Sequence, residues 1–407
     1  MEWLTIIYLI YAFIGLYFLI FFLLIYFRNR KSLFNYPKIT EKYEVSFVIP
    51  VYNEEKSIKD SLNSLLNLDY PIKKIVVVND ASTDNTEKII KEMVKKHKEI
   101  KLVSNSKNLG KSGSLNKGLE YVKTELVAIV DADSYPEKDS LKKLIGYFND
   151  EKVGVATPAI FVKNSNKFIE YLQAVEYVVI AWTRKLLGYV DAIYVTPGPL
   201  AVYRKKVLDE VGGFDINNIT EDIEMTWRLT KYKYKREMNL SSKVYTTVPN
   251  KFKHWLKQRI RWNLGGLQTI IKYKSETFSR NMISYFILPF FTLSLLMGVV
   301  GLLVFFYMLI RNIILHYLST SYSVAIQSAL IASQGINMNA SVLNFLGFSM
   351  LILGAFFTFL ALTVMKQKKL RNRNVFNLGF YLIVYLSVYP FIMLISIYKF
   401  IKKDIKW

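Results

Sequence analysis

The sequence predicts an α/β domain on a mostly parallel sheet, set between apolar segments long enough to cross a bilayer. Short β-branched runs alternate with amphipathic stretches between residues 45 and 158. A nearly uncharged run opens the chain, and further apolar runs follow residue 280. Of the 407 residues, 52% are hydrophobic and 21% charged, too much charge for a uniformly apolar bundle. Apolar segments beside a water-soluble part are therefore expected.

Residues 4–27 form the first apolar run. No basic residue precedes it, no small-residue cleavage site follows, and Arg28, Asn29, Arg30 and Lys31 come next. These flanks predict an uncleaved anchor over residues 1–30 whose far side is cytoplasmic. The expected strands and helices then run 45–51, 58–68, 75–78, 86–96, 101–103, 114–122, 126–130, 141–148 and 153–158. Ligands of such sheets bind at the carboxyl ends of strands. A catalytic domain is placed at 44–247.

Residues 248–271 are rich in Lys, Arg and Trp, too polar to span, and predict an amphipathic helix lying at the bilayer interface within a segment 248–280. Beyond it, 283–310 and 342–365 are expected spans, and 375–398 is a third with Pro390 as a kink, making 281–407 a C-terminal transmembrane region. Residues 311–340 fit an external connection and basic 366–373 a cytoplasmic loop; the basic tail with Lys399, Lys402, Lys403 and Lys406 would sit outside after a full third span, so either the usual charge bias fails here or 375–398 is re-entrant or interfacial. The net charge of +22 is compatible with nucleic acid, an anionic bilayer surface or anionic ligands, and its densest clusters abut apolar segments, which favours the bilayer. No basic helix or aromatic RNA-reading sheet is evident, so no nucleic-acid partner is expected. With no cysteine and three histidines, thiolate chemistry is excluded and a histidine-rich metal site disfavoured.

The chemistry-bearing residues fall at the predicted strand ends. FVIPVYNEE puts Pro50, Tyr52, Asn53 and Glu54 just past the first strand, and VVVND leaves Asn79 and Asp80 past the second. They can hold a base and ribose, or simply cap helices. NLGKSGSLNKGL carries Lys111 in a glycine-rich turn able to meet a diphosphate; it is not a Walker loop, and a flexible loop entering a helix fits equally. Asp131 and Asp133, one residue apart after ELVAIV, suit a hard divalent cation, Mg2+ or Mn2+. TPGPL around Gly198 shapes a pocket wall or a turn. Glu221 and Asp222 open a helical stretch, where a carboxylate acts as a general base or a cap. In QRIRW, Gln258, Arg261 and Trp262 offer a cation for a leaving diphosphate and an aromatic face for a sugar, or a membrane anchor.

The order and spacing of these pieces resemble family 2 glycosyltransferases, in particular their processive membrane branch of poly-N-acetylglucosamine, hyaluronan, chitin and cellulose synthases. ITEDIEMTWRL followed by LKQRIRWNLGG is most similar to the poly-N-acetylglucosamine type. The resemblance covers residues 45–268. It implies a GT-A fold, a UDP-sugar donor, and a divalent cation on Asp133 and Asp131. Pro50, Tyr52, Glu54, Asp80, Lys111 and Asp131 would hold the nucleotide, with Gln258, Arg261 and Trp262 at the diphosphate and sugar. Asp222 would be the base, and Gly198, Glu221 and Trp262 would face the acceptor, a growing glycan. The loop before the last apolar region would gate the nucleotide, and the spans would export the product; the short spanning complement leaves room for oligomers or an accessory export partner. The alternative is transfer of one sugar to a lipid acceptor on the same fold. A scaffold without activity is disfavoured, since Asp131, Asp133 and Asp222 are all present.

Overall fold

The computed structural model describes residues 2–325, 342–372 and 375–404. Helix α1 (Glu2–Asn29) leads by an extended stretch to β1 (Val45–Val51), which is buried along its whole length. Continuous burial explains why VSFVIPV carries no polar alternation: both faces of the strand are covered. Then come α2 (Ile58–Leu66), β2 (Ile72–Asn79), α3 (Thr86–Lys96), β3 (Ile100–Ser104), α4 (Gly110–Leu119) and β4 (Leu126–Ile129). β1 pairs in parallel with β2 and β4, and β2 with β3, so the N-terminal half of the sheet follows the predicted alternation.

The remaining strands make a mixed half. They are β5 (Ser134–Pro136), then, past the short α5 (Lys142–Ile145), β6 (Val153–Val162), followed by the long α6 (Phe168–Gly188) and β7 (Ala201–Arg204). After α7 (Lys205–Glu210) and α8 (Glu221–Lys231) comes β8 (Lys235–Thr246). β7 is antiparallel to β4 and β6, β8 is parallel to β6, and β5 is antiparallel to β8. The eight-stranded order is β3-β2-β1-β4-β7-β6-β8-β5.

Helix α9 (Phe252–Lys272) leaves the sheet and is followed by the apolar helices α10 (Leu288–Ala325) and α11 (Val342–Val364), the short basic α12 (Lys368–Asn372), and the apolar α13 (Val375–Phe380) and α14 (Tyr389–Ile401). Among the described residues, three helical stretches are long and apolar enough to cross a membrane: Trp3–Asn29, Ile283–Tyr322 and Phe376–Ile401. α11 supplies a shorter apolar stretch, Phe348–Val364. Phe13, Leu24, Leu303 and Ile313 stand exposed on α1 and α10, as lipid-facing side chains do.

Two expectations change. The 311–340 connection is helical as far as Ala325, because α10 runs on through Arg311 and His316; residues 326–341 lie outside the described ones. The last apolar segment is not one helix kinked at Pro390. A π turn (Tyr381–Tyr385) and a 3-10 turn (Leu386–Val388) precede α14, and Pro390 sits in the first turn of that helix, where its missing N–H costs nothing. Residues 405–407 of the basic tail are also outside the described ones.

Candidate active site

Parallel pairing of β1, β2 and β4 brings their carboxyl ends to one rim, and a cavity of about 620 Å³ opens there. Pro50, Tyr52, Glu54, Asp80, Lys111, Asp131, Asp133, Gly198, Glu221, Asp222, Gln258, Arg261 and Trp262 all line it. These residues are thus in one place, contributed by segments more than 200 positions apart, whereas Asn53 and Asn79, named with them at the strand ends, are not on the lining.

Asp80 is buried, and its Oδ1 accepts hydrogen bonds from Asn105 Nδ2 and the Leu109 amide, both at 2.8 Å. It therefore anchors the turn that delivers Lys111. Lys111 Nζ bridges Asp131 Oδ1 at 2.6 Å and Glu221 Oε1 at 2.7 Å. Burial opposes its charge, but Asp131, Glu221 and Asp222 hold the ammonium well above the usual lysine range. Gly198 packs against this pair: a Cβ there would lie 2.7 Å from both Asp131 carboxylate oxygens and 2.9 Å from Lys111 Nζ. A side chain there would displace the Asp131–Lys111 pair, so the place of Gly198 is beside Asp131.

Burial, then Asp131 and Glu54, push the Asp133 carboxyl up to about 7. Burial likewise raises Glu54, opposed by the Ser57 hydroxyl and reinforced by Asp131 and Asp84. This end of the cavity is short of positive charge, the condition that a divalent cation relieves. Among the described residues no group of three or more His, Asp or Glu side chains could hold an ion. Two carboxylates leave most coordination positions to ligand oxygens, as Mg2+ at a diphosphate requires. The residues present fit such an ion.

Asp222 lies in the first turn of α8, its Oδ1 taking the Ile223 amide at 2.9 Å. Burial and Glu221 raise it to about 6 against the pull of Lys111. The segment before it is held from α9: Asn218 Nδ2 donates to Thr269 Oγ1 at 2.9 Å, and Gln268 Oε1 accepts from the Ile219 amide at 3.0 Å. Glu224 on α8, fully buried, pairs with Arg228 and accepts from Lys272 Nζ at 2.6 Å and Tyr273 OH at 2.9 Å. These contacts clamp the ends of α8 and α9 together.

On α9 the spacing 258, 261, 262 puts Gln258, Arg261 and Trp262 on one face toward the cavity. Arg259 turns the other way and is fully buried. It pairs with Glu176 on α6, donates Nε to Tyr389 OH at 2.9 Å and Nη1 to Gln258 Oε1 at 2.7 Å, and lies 4.1 Å from the Trp262 ring centre. Tyr385 OH also donates to Glu176, at 2.7 Å, and accepts from Trp255 Nε1 at 2.8 Å.

Sequence reasoning missed Glu176, Arg259 and the wall that α6 supplies. Tyr177, Ile180, Ala181 and Arg184 line the cavity from that helix. Their spacing is one helical face, a signal present in FIEYLQAVEYVVIAWTRKLLG though masked by its overall apolarity.

A family model described as glycosyl transferase family 2 matches residues 46–212. A poly-β-1,6-N-acetyl-D-glucosamine synthase of Staphylococcus epidermidis is 32% identical over 248 residues, spanning 60% of either protein. Its counterpart from another strain of that species is 30% identical over 285 residues, 69% of each chain. The synthase of Staphylococcus aureus strain COL is 28% identical over the same share. Among solved structures, a mannosyltransferase from Pyrobaculum calidifontis in complex with GDP-Man and Mn2+ has a TM-score of 0.58 at 18% identity, covering 96% of this chain and 98% of that one. The shared fold is GT-A.

Proposed function

The chain belongs to glycosyl transferase family 2, and from that premise we propose that it polymerises hexosamine units from a UDP-sugar, UDP-N-acetylglucosamine foremost, into a β-linked polysaccharide. The observation that carries this reading is the gathering of Asp131, Asp133, Lys111, Asp222, Arg261 and Trp262 around one cavity. The relatives' names, poly-β-1,6-N-acetyl-D-glucosamine synthases, support the hexosamine and the polymer.

Pro50, Tyr52, Glu54 and Asp80 receive the uridine end, and Lys111 the diphosphate. Asp131 and Asp133 hold a divalent cation, Mg2+ or Mn2+, which neutralises charge on the departing diphosphate. Asp222 accepts the proton of the acceptor hydroxyl, whose oxygen attacks the donor's anomeric carbon. The bond to the UDP phosphate breaks, its electron pair leaves with UDP, and Lys111 and Arg261 face the charge that develops. Attack opposite the leaving group turns an α-linked donor into a β linkage. A carboxyl raised to about 6 is still ionised at neutral pH and more basic than an exposed aspartate. Trp262 offers its face to the acceptor sugar, with Glu221 and Gly198 on the adjoining wall and Gln258 in support.

In this reading the site faces the cytoplasm, where UDP-sugars are supplied, and the product passes outward along the apolar helices; the basic residues Arg28, Arg30 and Lys31 after the first apolar run support that orientation. Retention of the product after each step makes synthesis processive. The test is UDP release by purified protein in lipid nanodiscs, with Mn2+ or Mg2+ and a panel of UDP-sugars. UDP-N-acetylglucosamine should turn over fastest; release no faster than spontaneous hydrolysis from every donor would overturn the proposal.

A further inference from the structure

Arg184, on the cavity-facing side of α6, is only 7% exposed. Among the described residues it makes no hydrogen bond or ion pair, and its Nε is buried without a partner. The other buried arginines, Arg259 and Arg236, find acceptors for their terminal nitrogens, and only the Nε of Arg236 is left without one. Arg259 meets Glu176, Tyr389 and Gln258, and Arg236 donates to the Tyr234 and Asp191 carbonyls. A guanidinium cannot shed its charge in a protein, so a buried one that leaves its donors unused is costly. It persists where a ligand completes it.

The surroundings say which ligand. Arg184 feels the charge of Asp222 through space, so the cation is already faced by an anion. A second anion such as a phosphate would be repelled by Asp222. What the free N–H groups need is neutral oxygen. Tyr177, Tyr194, Ile223 and Trp262 line the cavity with Arg184, an apolar and aromatic setting suited to the faces of a sugar ring.

We propose that Arg184 is an acceptor-binding residue: it donates hydrogen bonds to hydroxyl or acyl oxygens of the glycan's terminal sugar and so sets the attacking hydroxyl at Asp222. This rests on the polymerase reading above. Lysine at this position keeps the charge but not the planar fork.

The experiment measures sugar incorporation at saturating donor against increasing β-linked N-acetylglucosamine oligosaccharide, for the native protein, Arg184→Gln and Arg184→Lys. Polyprenyl phosphate in the same nanodiscs is the second acceptor. UDP affinity is measured by calorimetry in parallel. Both variants should raise the oligosaccharide KM about tenfold or more, the loss of a charge-assisted hydrogen bond, while UDP affinity stays within about twofold. An unchanged oligosaccharide KM overturns the assignment, as does loss of UDP binding in both variants, which would make Arg184 a structural charge. Use of polyprenyl phosphate through Arg184, with the oligosaccharide ignored, overturns the glycan as its ligand. Native protein that uses neither acceptor overturns the polymerase reading itself.

Discussion

Two adjacent glycines on α9 should respond oppositely to the same substitution. An alanine Cβ at Gly265 would lie 1.9 Å from Thr220 Oγ1, 2.5 Å from its Cγ2 and 2.6 Å from its Cβ. Rotating the threonine side chain moves the first two atoms but not the third. The backbones must therefore part by about 1 Å to restore ordinary contact. Thr220 is not free to yield, since its amide donates to Asn218 Oδ1 at 2.9 Å and Asn218 is tied to Thr269 on α9. The shift falls instead on Asp222, two residues along, and on Arg261 and Trp262, one turn before Gly265. Displacements of about 1 Å cost roughly a hundredfold in rate, and overpacking costs about 1–3 kcal/mol. Gly266→Ala meets nothing within 4 Å and removes a helix-weakening glycine, for a gain of about 0.5–1 kcal/mol. Steady-state UDP release and thermal unfolding in detergent read both effects. Gly265→Ala should lose about a hundredfold in kcat and some stability, while Gly266→Ala keeps its rate and gains stability. Equal behaviour of the two variants, or native turnover in Gly265→Ala, refutes the tight seating of α9 on Thr220 as the device that aligns the site.

Asp222→Asn should lower kcat by about a thousandfold with UDP affinity kept, measured by product formation and calorimetry. Since the folded carboxyl titrates at about 6 rather than 3.8, the native state binds its proton more tightly than the unfolded chain does. Stability therefore falls as pH rises between those values, and the ionised group costs on the order of 2–3 kcal/mol above them. Asp222→Asn should accordingly melt higher than the native protein at pH 7.5, an advantage that fades toward pH 4; a lower melting point at pH 7.5 contradicts it. In the native enzyme kcat/KM should rise with pH through about 6 and level off, and a flat profile from pH 5 to 8 would count against Asp222 as the base. Glu176→Gln leaves the Arg259 charge buried without its carboxylate, so stability should drop by about 3–5 kcal/mol in thermal or denaturant unfolding. Excess chelator should stop UDP release and added Mn2+ or Mg2+ restore it; full turnover in chelator rejects the cation at Asp131 and Asp133.

How much of this was legible depends on the kind of information each residue carries. β1, β4 and the buried end of β2 from Ile75 were readable because strand segments covered on both faces are apolar, and the polar residues that follow them stand out as a rim. Asp131 and Asp133 were readable for the same reason. Gln258, Arg261 and Trp262 share a helical face by spacing alone. β5 and β7, three and four residues long, are too short to show a period, and β8 pairs across a register shift, so the mixed half of the sheet was not foreseen. Glu176 and Arg184 were hidden for another reason. They are two of four charges in a mostly apolar helix, and what each does depends on partners from α9 and α14 or on the cavity it faces. Gly265 carries no side chain to read; its meaning exists only against Thr220.

The size of the first products tests the central claim most directly. Purified protein, labelled UDP-N-acetylglucosamine and a divalent cation are allowed to react until only a few percent of the donor is consumed, and the products are resolved by gel and by extraction into organic solvent. Polymerisation with retained product predicts long, water-soluble, β-hexosaminidase-sensitive chains at that early stage, with little of intermediate length. A single labelled sugar on an organic-soluble lipid would contradict it.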